Sequence, residues 1–309
     1  MYIRHGICFA IIITANVVHV MKTTSEIVQI ELWQDEPPNG PGPSGPERVT
    51  STGIHSNIAK PRLIVHTPEN PNGAAMLVIS GGGYKSIELG KEGTPASRWL
   101  VSIGVTAFEL VYRLPSEGWS SVDVPFQDGQ RAIRLIRNMA TKLSIHDHKI
   151  GIMGFSAGGH LAGLIQTEPA NRFYTPTDSY DRLSARPDFA ALLYPVITML
   201  PPYNNTHAEE EILGKHSKRR QQEHYSVQLH VNDQTPPTFV AHALDDPIAN
   251  VENSKLMFGA LRKYNVTAEL HLFTTGGHGW GLGLPGTPEH VWPKLFEIWA
   301  KVNGFFKNE

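Results

Sequence analysis

Between residues 62 and 273, seven apolar runs of strand length alternate with segments whose apolar residues recur every three or four positions. The runs are RLIVH (62–66), AAMLVIS (74–80), VTAFELVY (105–112), KIGIMG (149–154), DFAALLYPV (188–196), TFVAHA (238–243) and TAELHLF (267–273). Helical period marks PASRWLVSIG, FQDGQRAIRLIRNMA, AGGHLAGLI, NSKLMFGALRKY and, at the end, EHVWPKLFEIWAKVNGFF. In the second of these, Ala132, Ile133, Ile136 and Ala140 share a face, and Arg131, Arg134 and Arg137 line a more polar side. Strand followed by helix, repeated, predicts an α/β fold with a mostly parallel central sheet and helices on both faces. Ligands of such sheets sit at the carboxyl ends of the strands, so chemistry is sought there.

An early strand, IVQIELW, precedes a Pro/Gly-rich stretch over 35–48. Too few residues come before that stretch to form a domain, so it is read as a loop of one unit spanning 22–309. The polar segment 200–236 interrupts the alternation and is expected to form a small cap over the site. Residues 1–21 carry Arg4 and His5 before ICFAIIITANVVHV, too short and too polar for a spanning helix and better suited to a cleaved export signal. That predicts a secreted or periplasmic protein with no membrane attachment after cleavage; if Met21 is the true start, the protein is cytoplasmic. Cys8, the one cysteine, lies in the leader, so the processed chain would hold neither a disulfide nor a cysteine site. A formal charge of −2 without a basic block gives no footprint for nucleic acid, and KHSKRR at 215–220 reads as a solvated loop.

Gly154-Phe155-Ser156-Ala157-Gly158 has the form G-x-S-x-G where a buried strand ends and a helix begins. In such a turn the serine hydroxyl stands clear of the sheet, and the flanking positions must lack side chains because the backbones crowd together. A serine hydroxyl needs a base oriented by a carboxylate. TFVAHALDDP ends one later strand in Asp245 and Asp246, and ELHLFTTGGHGWG ends the next in His278. The chain order Ser156, Asp245 or Asp246, His278 is that of the α/β-hydrolase architecture. The developing oxyanion needs amide donors: Ala157 at the helix start, and Gly82 and Gly83 in SGGGY after an early strand. Neither G-x-G-x-x-G nor a following G-K-[ST] accompanies those glycines, which disfavours a phosphate loop.

Taken together, SGGGYKSIELGKEG, VYRLP, DGQRAIRLIR, IGIMGFSAGGHLA, LLYPV, PPTFVAHALDDP and GGHGWGL resemble the secreted α/β-hydrolases that include bacterial acetylxylan esterases and carbohydrate deacetylases of the BD-FAE type. The resemblance runs from Ile30 to Phe306. It implies Ser156 as nucleophile, His278 as general base and then acid, an aspartate of the DD pair as orienter, and metal-free catalysis with no cofactor. In related hydrolases the first aspartate of such a pair usually supports the histidine, which favours Asp245. The substrate implied is an acetylated plant polysaccharide or oligosaccharide. A feruloyl or other small-acyl esterase shares the machinery; a serine peptidase and a non-catalytic binding protein are the more distant readings. Ser80 stands where many relatives have proline or histidine.

Other residues have plainer expectations. Tyr84, after the glycines, is a candidate substrate contact. Trp280 can stack on a sugar beside His278 or simply pack. His160, one turn into the elbow helix, is expected to be structural; Glu92 and Arg113 could pair in the interior or meet substrate. None of the fifteen histidines has H-x-x-x-H or H-E-x-x-H spacing, so no metal site is expected.

Overall fold

The computed structural model describes the backbone of residues 20–22 and all of residues 28–307. The expected leader falls outside the described residues except for the backbone of its last two. Among the described residues, nine strands form one sheet. On one side, β1 (Val20–Lys22), β2 (Val28–Glu31) and the fifth strand in chain order run in alternating directions, each antiparallel to its neighbours. A two-stranded ribbon, β3 (Arg48–Val49) and β4 (His55–Ser56), separates β2 from that strand, β5 (Arg62–His66). The remaining strands are β6 (Ala75–Ile79), β7 (Thr106–Val111), β8 (Ile150–Phe155), β9 (Phe189–Leu193), β10 (Thr238–Ala243) and β11 (Ala268–Phe273). Their spatial order is β1-β2-β5-β7-β6-β8-β9-β10-β11, parallel from β7 onward.

Successive residues of the central strands feed opposite faces, as the pleat requires. Ile150 and Ile152 of β8 join one core, and Met153 and Phe155 join the other. The first core packs under α2 (Val124–Met139), α3 (Ala157–Thr167) and α6 (Glu252–Lys263); the second packs under α1 (Thr94–Ser102) and α7 (Trp292–Val302). Between β9 and β10 lie two short helices, α4 (His207–Leu213) and α5 (Arg219–His224), within the segment expected to form a cap. This layered sheet with its β9–β10 insertion is the α/β-hydrolase fold, in agreement with the alternation read from the sequence.

The arginine face of α2 is less polar in its surroundings than its composition implies. Arg131 is buried and reaches Asp178, Asp181 and the carbonyl of Leu32, so the helix is covered on that side too. Arg113 does not pair with Glu92. It lies fully buried against Asp128 at 2.8 Å and donates to the Pro38 carbonyl, which fastens the Pro/Gly-rich loop to the body.

Candidate active site

β8 delivers Ser156 into the first turn of α3 with φ 52 and ψ −118, a region that a non-glycine residue occupies only when its surroundings impose it. The surroundings are visible. A Cβ on Gly158 would strike the carbonyl of Ile79 and lie 2.6 Å from that of Ser80, and one on Gly154 would strike the Gly158 carbonyl. The bare backbones thus let β6, β8 and α3 meet, and Ser156 is levered to the floor of a cleft of about 290 Å³.

Ser156 Oγ lies 2.8 Å from His278 Nε2. On the other side of the ring, His278 Nδ1 donates to Asp246 Oδ2 at 2.6 Å, which leaves Nε2 free to accept the serine proton. The carboxylate at the histidine is therefore that of Asp246, not Asp245. Asp245 is exposed and its Oδ1 accepts the Gly277 N–H at 2.8 Å. The reason is the turn after β10: Asp246 Oδ1 accepts the amides of Ile248 and Ala249, which folds its side chain inward until it is fully buried.

A second histidine holds the same carboxylate. His242, fully buried on β10, directs Nε2 at Asp246 Oδ2 (3.1 Å) and at the Ala249 carbonyl (2.8 Å), while Nδ1 pairs with Ser254 Oγ at 2.7 Å. Burial alone would raise the Asp246 carboxyl, but the hydrogen bonds from His242 and His278 outweigh it and hold it down to about 2. It is thus ionised at neutral pH and can stabilise an imidazolium.

Gly82 and Gly83 line the cleft opposite Ala157, with φ 119 and 63 that favour glycine. Among the described residues their amides have no backbone acceptor, while the Gly82 carbonyl takes the amides of Lys85 and Ser86 and closes the loop. The Ala157 amide opens α3, where the helix leaves its first N–H groups unpaired and favours negative charge. Gly81 approaches so closely that a Cβ there would lie 2.8 Å from Ser156 Cβ. Ser80 keeps the loop in place through its carbonyl, which accepts Tyr112 Oη–H.

The aromatic candidates lie elsewhere. Tyr84 is fully buried, its Oη 2.9 Å from His160 Nδ1, so it is an interior residue and not part of the cleft lining. Its φ is 60, and its ring stands edge-on to Tyr112, Phe126 and His160 in the core. His160 also meets the Tyr225 carbonyl, and burial pushes it down to about 4, which keeps it neutral in a structural role. Trp280 is absent from the cleft lining and packs edge-on against Tyr194 at 4.4 Å and Phe273 at 6.2 Å.

Sequence reasoning missed most of the rim. Thr206, His207 and Ala208 at the start of α4 lean over the glycine loop, and Val196 and Ile248 supply apolar wall. These residues carry no local signal, because only the fold of the β9–β10 insertion brings them near Ser156. Among the described residues, no group of three or more His, Cys, Asp or Glu could hold a metal ion.

The BD-FAE family model matches residues 63–261, well over half of the chain. The chain belongs to the BD-FAE family. A relative named acetylxylan esterase from Xylanibacter ruminicola is 32% identical over 232 residues, covering 74% of this chain and 45% of that protein. Endo-1,4-beta-xylanase B of Butyrivibrio fibrisolvens is 36% identical over 210 residues, covering 66% of this chain and 32% of that protein. The chain therefore spans less than half the length of these two curated relatives. Among solved structures, the acetyl ester-xyloside bifunctional hydrolase of Caldicellulosiruptor lactoaceticus aligns with a TM-score of 0.78 at 34% identity, covering 90% of this chain and 97% of that one. The BD-FAE match begins at β5 and ends inside α6, so it includes Ser156 and Asp246 and stops short of His278.

Proposed function

We propose that this protein is a serine carboxylesterase that removes acetyl groups from xylan or a related plant polysaccharide. The observation that carries the reading is the unbroken relay from Ser156 Oγ to His278 Nε2 and from His278 Nδ1 to Asp246 Oδ2, beside the amides of Gly82, Gly83 and Ala157. Family membership and the named activities of the similar proteins support the substrate class.

In this mechanism His278 takes the Ser156 proton as Oγ attacks the acetyl carbonyl, and the negative charge formed on the carbonyl oxygen meets the amides at the glycine loop and the α3 start. Asp246 holds the imidazole in the required tautomer and offsets its charge. His278 then returns the proton to the sugar oxygen, which leaves as the alcohol. Water, deprotonated by His278, cleaves the acetyl-enzyme and releases acetate. Nothing in these steps calls for a metal or cofactor.

Export to where polysaccharide is met belongs to the same proposal and rests on residues 1–21. Cell fractionation with N-terminal sequencing of the mature protein tests it. Acetate release from acetylated xylan, compared with acetylated mannan and pectin, tests the activity with wild type and Ser156→Ala. Turnover of feruloyl esters well above acetyl esters, or release unaffected by the serine change, overturns the reading.

A further inference from the structure

Glu92 is a carboxylate where stability alone would not put one. It sits on a single π-helical turn, Leu89–Gly93, just before α1, and is only 3% exposed. Turns of this kind recur at functional sites because the extra residue re-aims a side chain. Here the side chain is aimed under the glycine loop, at the edge of the Ser156 cleft that Glu92 helps to line. Oε2 accepts the Gly81 N–H at 2.6 Å, and Oε1 accepts Tyr194 Oη–H at 2.9 Å. Tyr194 Oη in turn accepts the Gly281 N–H at 3.0 Å. The Gly81 carbonyl is held as well, by the Glu88 amide at 3.1 Å, so both sides of that residue are pinned from the same short segment.

Tyr194 is itself constrained. It follows β9 with φ 37, and its ring stands edge-on to the His278 ring with centroids 5.0 Å apart. A chain of three hydrogen bonds thus runs from the oxyanion loop, through Glu92 and Tyr194, to the loop that carries His278. Burying a carboxylate is costly even when it is paired, and burial pushes Glu92 up to about 7 despite the Gly81 and Tyr194 hydrogen bonds. No cation forms an ion pair with it among the described residues; a charge that favours its ionised form is that of His278, across the cleft.

We propose that Glu92 is a positioning residue that clamps the Gly81–Gly83 loop to Tyr194 and, through Tyr194, to the His278 loop, setting the amide donors and the base in register. Catalysis by preoriented dipoles depends on donors fixed before charge develops, and a loop free to relax would lose that advantage while still admitting substrate. The inference rests on the esterase reading above for its catalytic consequence and on hydrogen bonding alone for the clamp.

Glu92→Gln and Tyr194→Phe test it. Glutamine can still accept from Gly81, but it then turns an amide donor toward the tyrosine hydroxyl and takes away the acceptor of the tyrosine proton. Phenylalanine keeps the packing against His278 and cuts the chain from the other end. With p-nitrophenyl acetate, kcat is expected to fall about 10- to 100-fold in each variant with KM within about threefold, the pattern of an interaction made in the transition state. The double variant should lose no more than the worse single one, because both cut one chain. Amide exchange across residues 81–84 should quicken in both.

Losses that multiply, losses confined to KM, or kcat within twofold of wild type would overturn the proposal. If wild type turns over no ester, the esterase reading fails separately and exchange decides the clamp: unchanged protection at residues 81–84 in both variants rejects it. Should Glu92→Gln fail to fold, Tyr194→Phe gives the same readings.

Discussion

Asp245 and Asp246 are neighbours in the chain and serve different loops: Asp246 Oδ2 meets His278 Nδ1 at 2.6 Å, while Asp245 Oδ1 takes the amide of Gly277, one residue before that histidine. One carboxylate meets the imidazole, and the other props the backbone that presents it. Asp246→Asn is expected to lower kcat by roughly 10³- to 10⁴-fold, since an amide at Nδ1 favours the wrong tautomer. Asp245→Asn keeps an oxygen for the Gly277 amide and should stay within about threefold of wild type. Steady-state kinetics on p-nitrophenyl acetate compare them; the reverse ranking would falsify the assignment.

Strain at Ser156 makes a stability prediction that does not involve turnover. At φ 52 and ψ −118 a residue with a Cβ is held at a cost of about 1–3 kcal/mol, which glycine avoids in part while losing more chain entropy on folding. Ser156→Gly should therefore be about 1 kcal/mol more stable than Ser156→Ala, with both inactive. Denaturant unfolding reads the difference, and equal midpoints would mean that the turn carries no strain.

Two glycines on helices should respond in opposite ways to alanine. At Gly158 the new methyl meets the backbone carbonyls of Ile79 and Ser80, which cannot step aside, so a loss of about 1–3 kcal/mol or more is expected. At Gly259 in α6 nothing lies within 4 Å of the added methyl, and alanine should gain about 0.5–1 kcal/mol from helix propensity. Thermal melts of the two variants test the pair, and a stabilised Gly158→Ala would contradict the close approach.

The two buried carboxyls at the site predict opposite pH dependences of stability. Glu92, raised from 4.5 to about 7, keeps its proton in the folded state after the unfolded chain has released it, so stability falls as pH rises from 4.5 to 7, by about 3 kcal/mol at most. Asp246, lowered from 3.8 to about 2, contributes stability that is present above 3.8 and lost as pH falls through 2. Urea unfolding at pH 5 and pH 7.5 should show a smaller decline in Glu92→Gln than in wild type. A decline of the same size in both would remove Glu92 as its source.

The sequence by itself determined the layers and the serine turn between β8 and α3. Burial on both faces of a strand and one face of a helix writes itself into local periodicity, so all seven internal strands were legible to within three residues; Gly154 and Gly158 record a local clash with each other, while Gly158 also answers the carbonyls of Ile79 and Ser80 at the end of a distant strand. His278 was legible too, as a glycine-flanked histidine after the final strand. What only the tertiary structure decided is which polar group meets which. The amides of Ile248 and Ala249 turn Asp246 inward in place of Asp245, Tyr84 meets His160 in the core, and Glu92 finds Gly81 and Tyr194 eleven and 102 positions away. Hydrogen-bond partners are chosen by proximity after the sheet has formed, and sequence distance carries no trace of that choice.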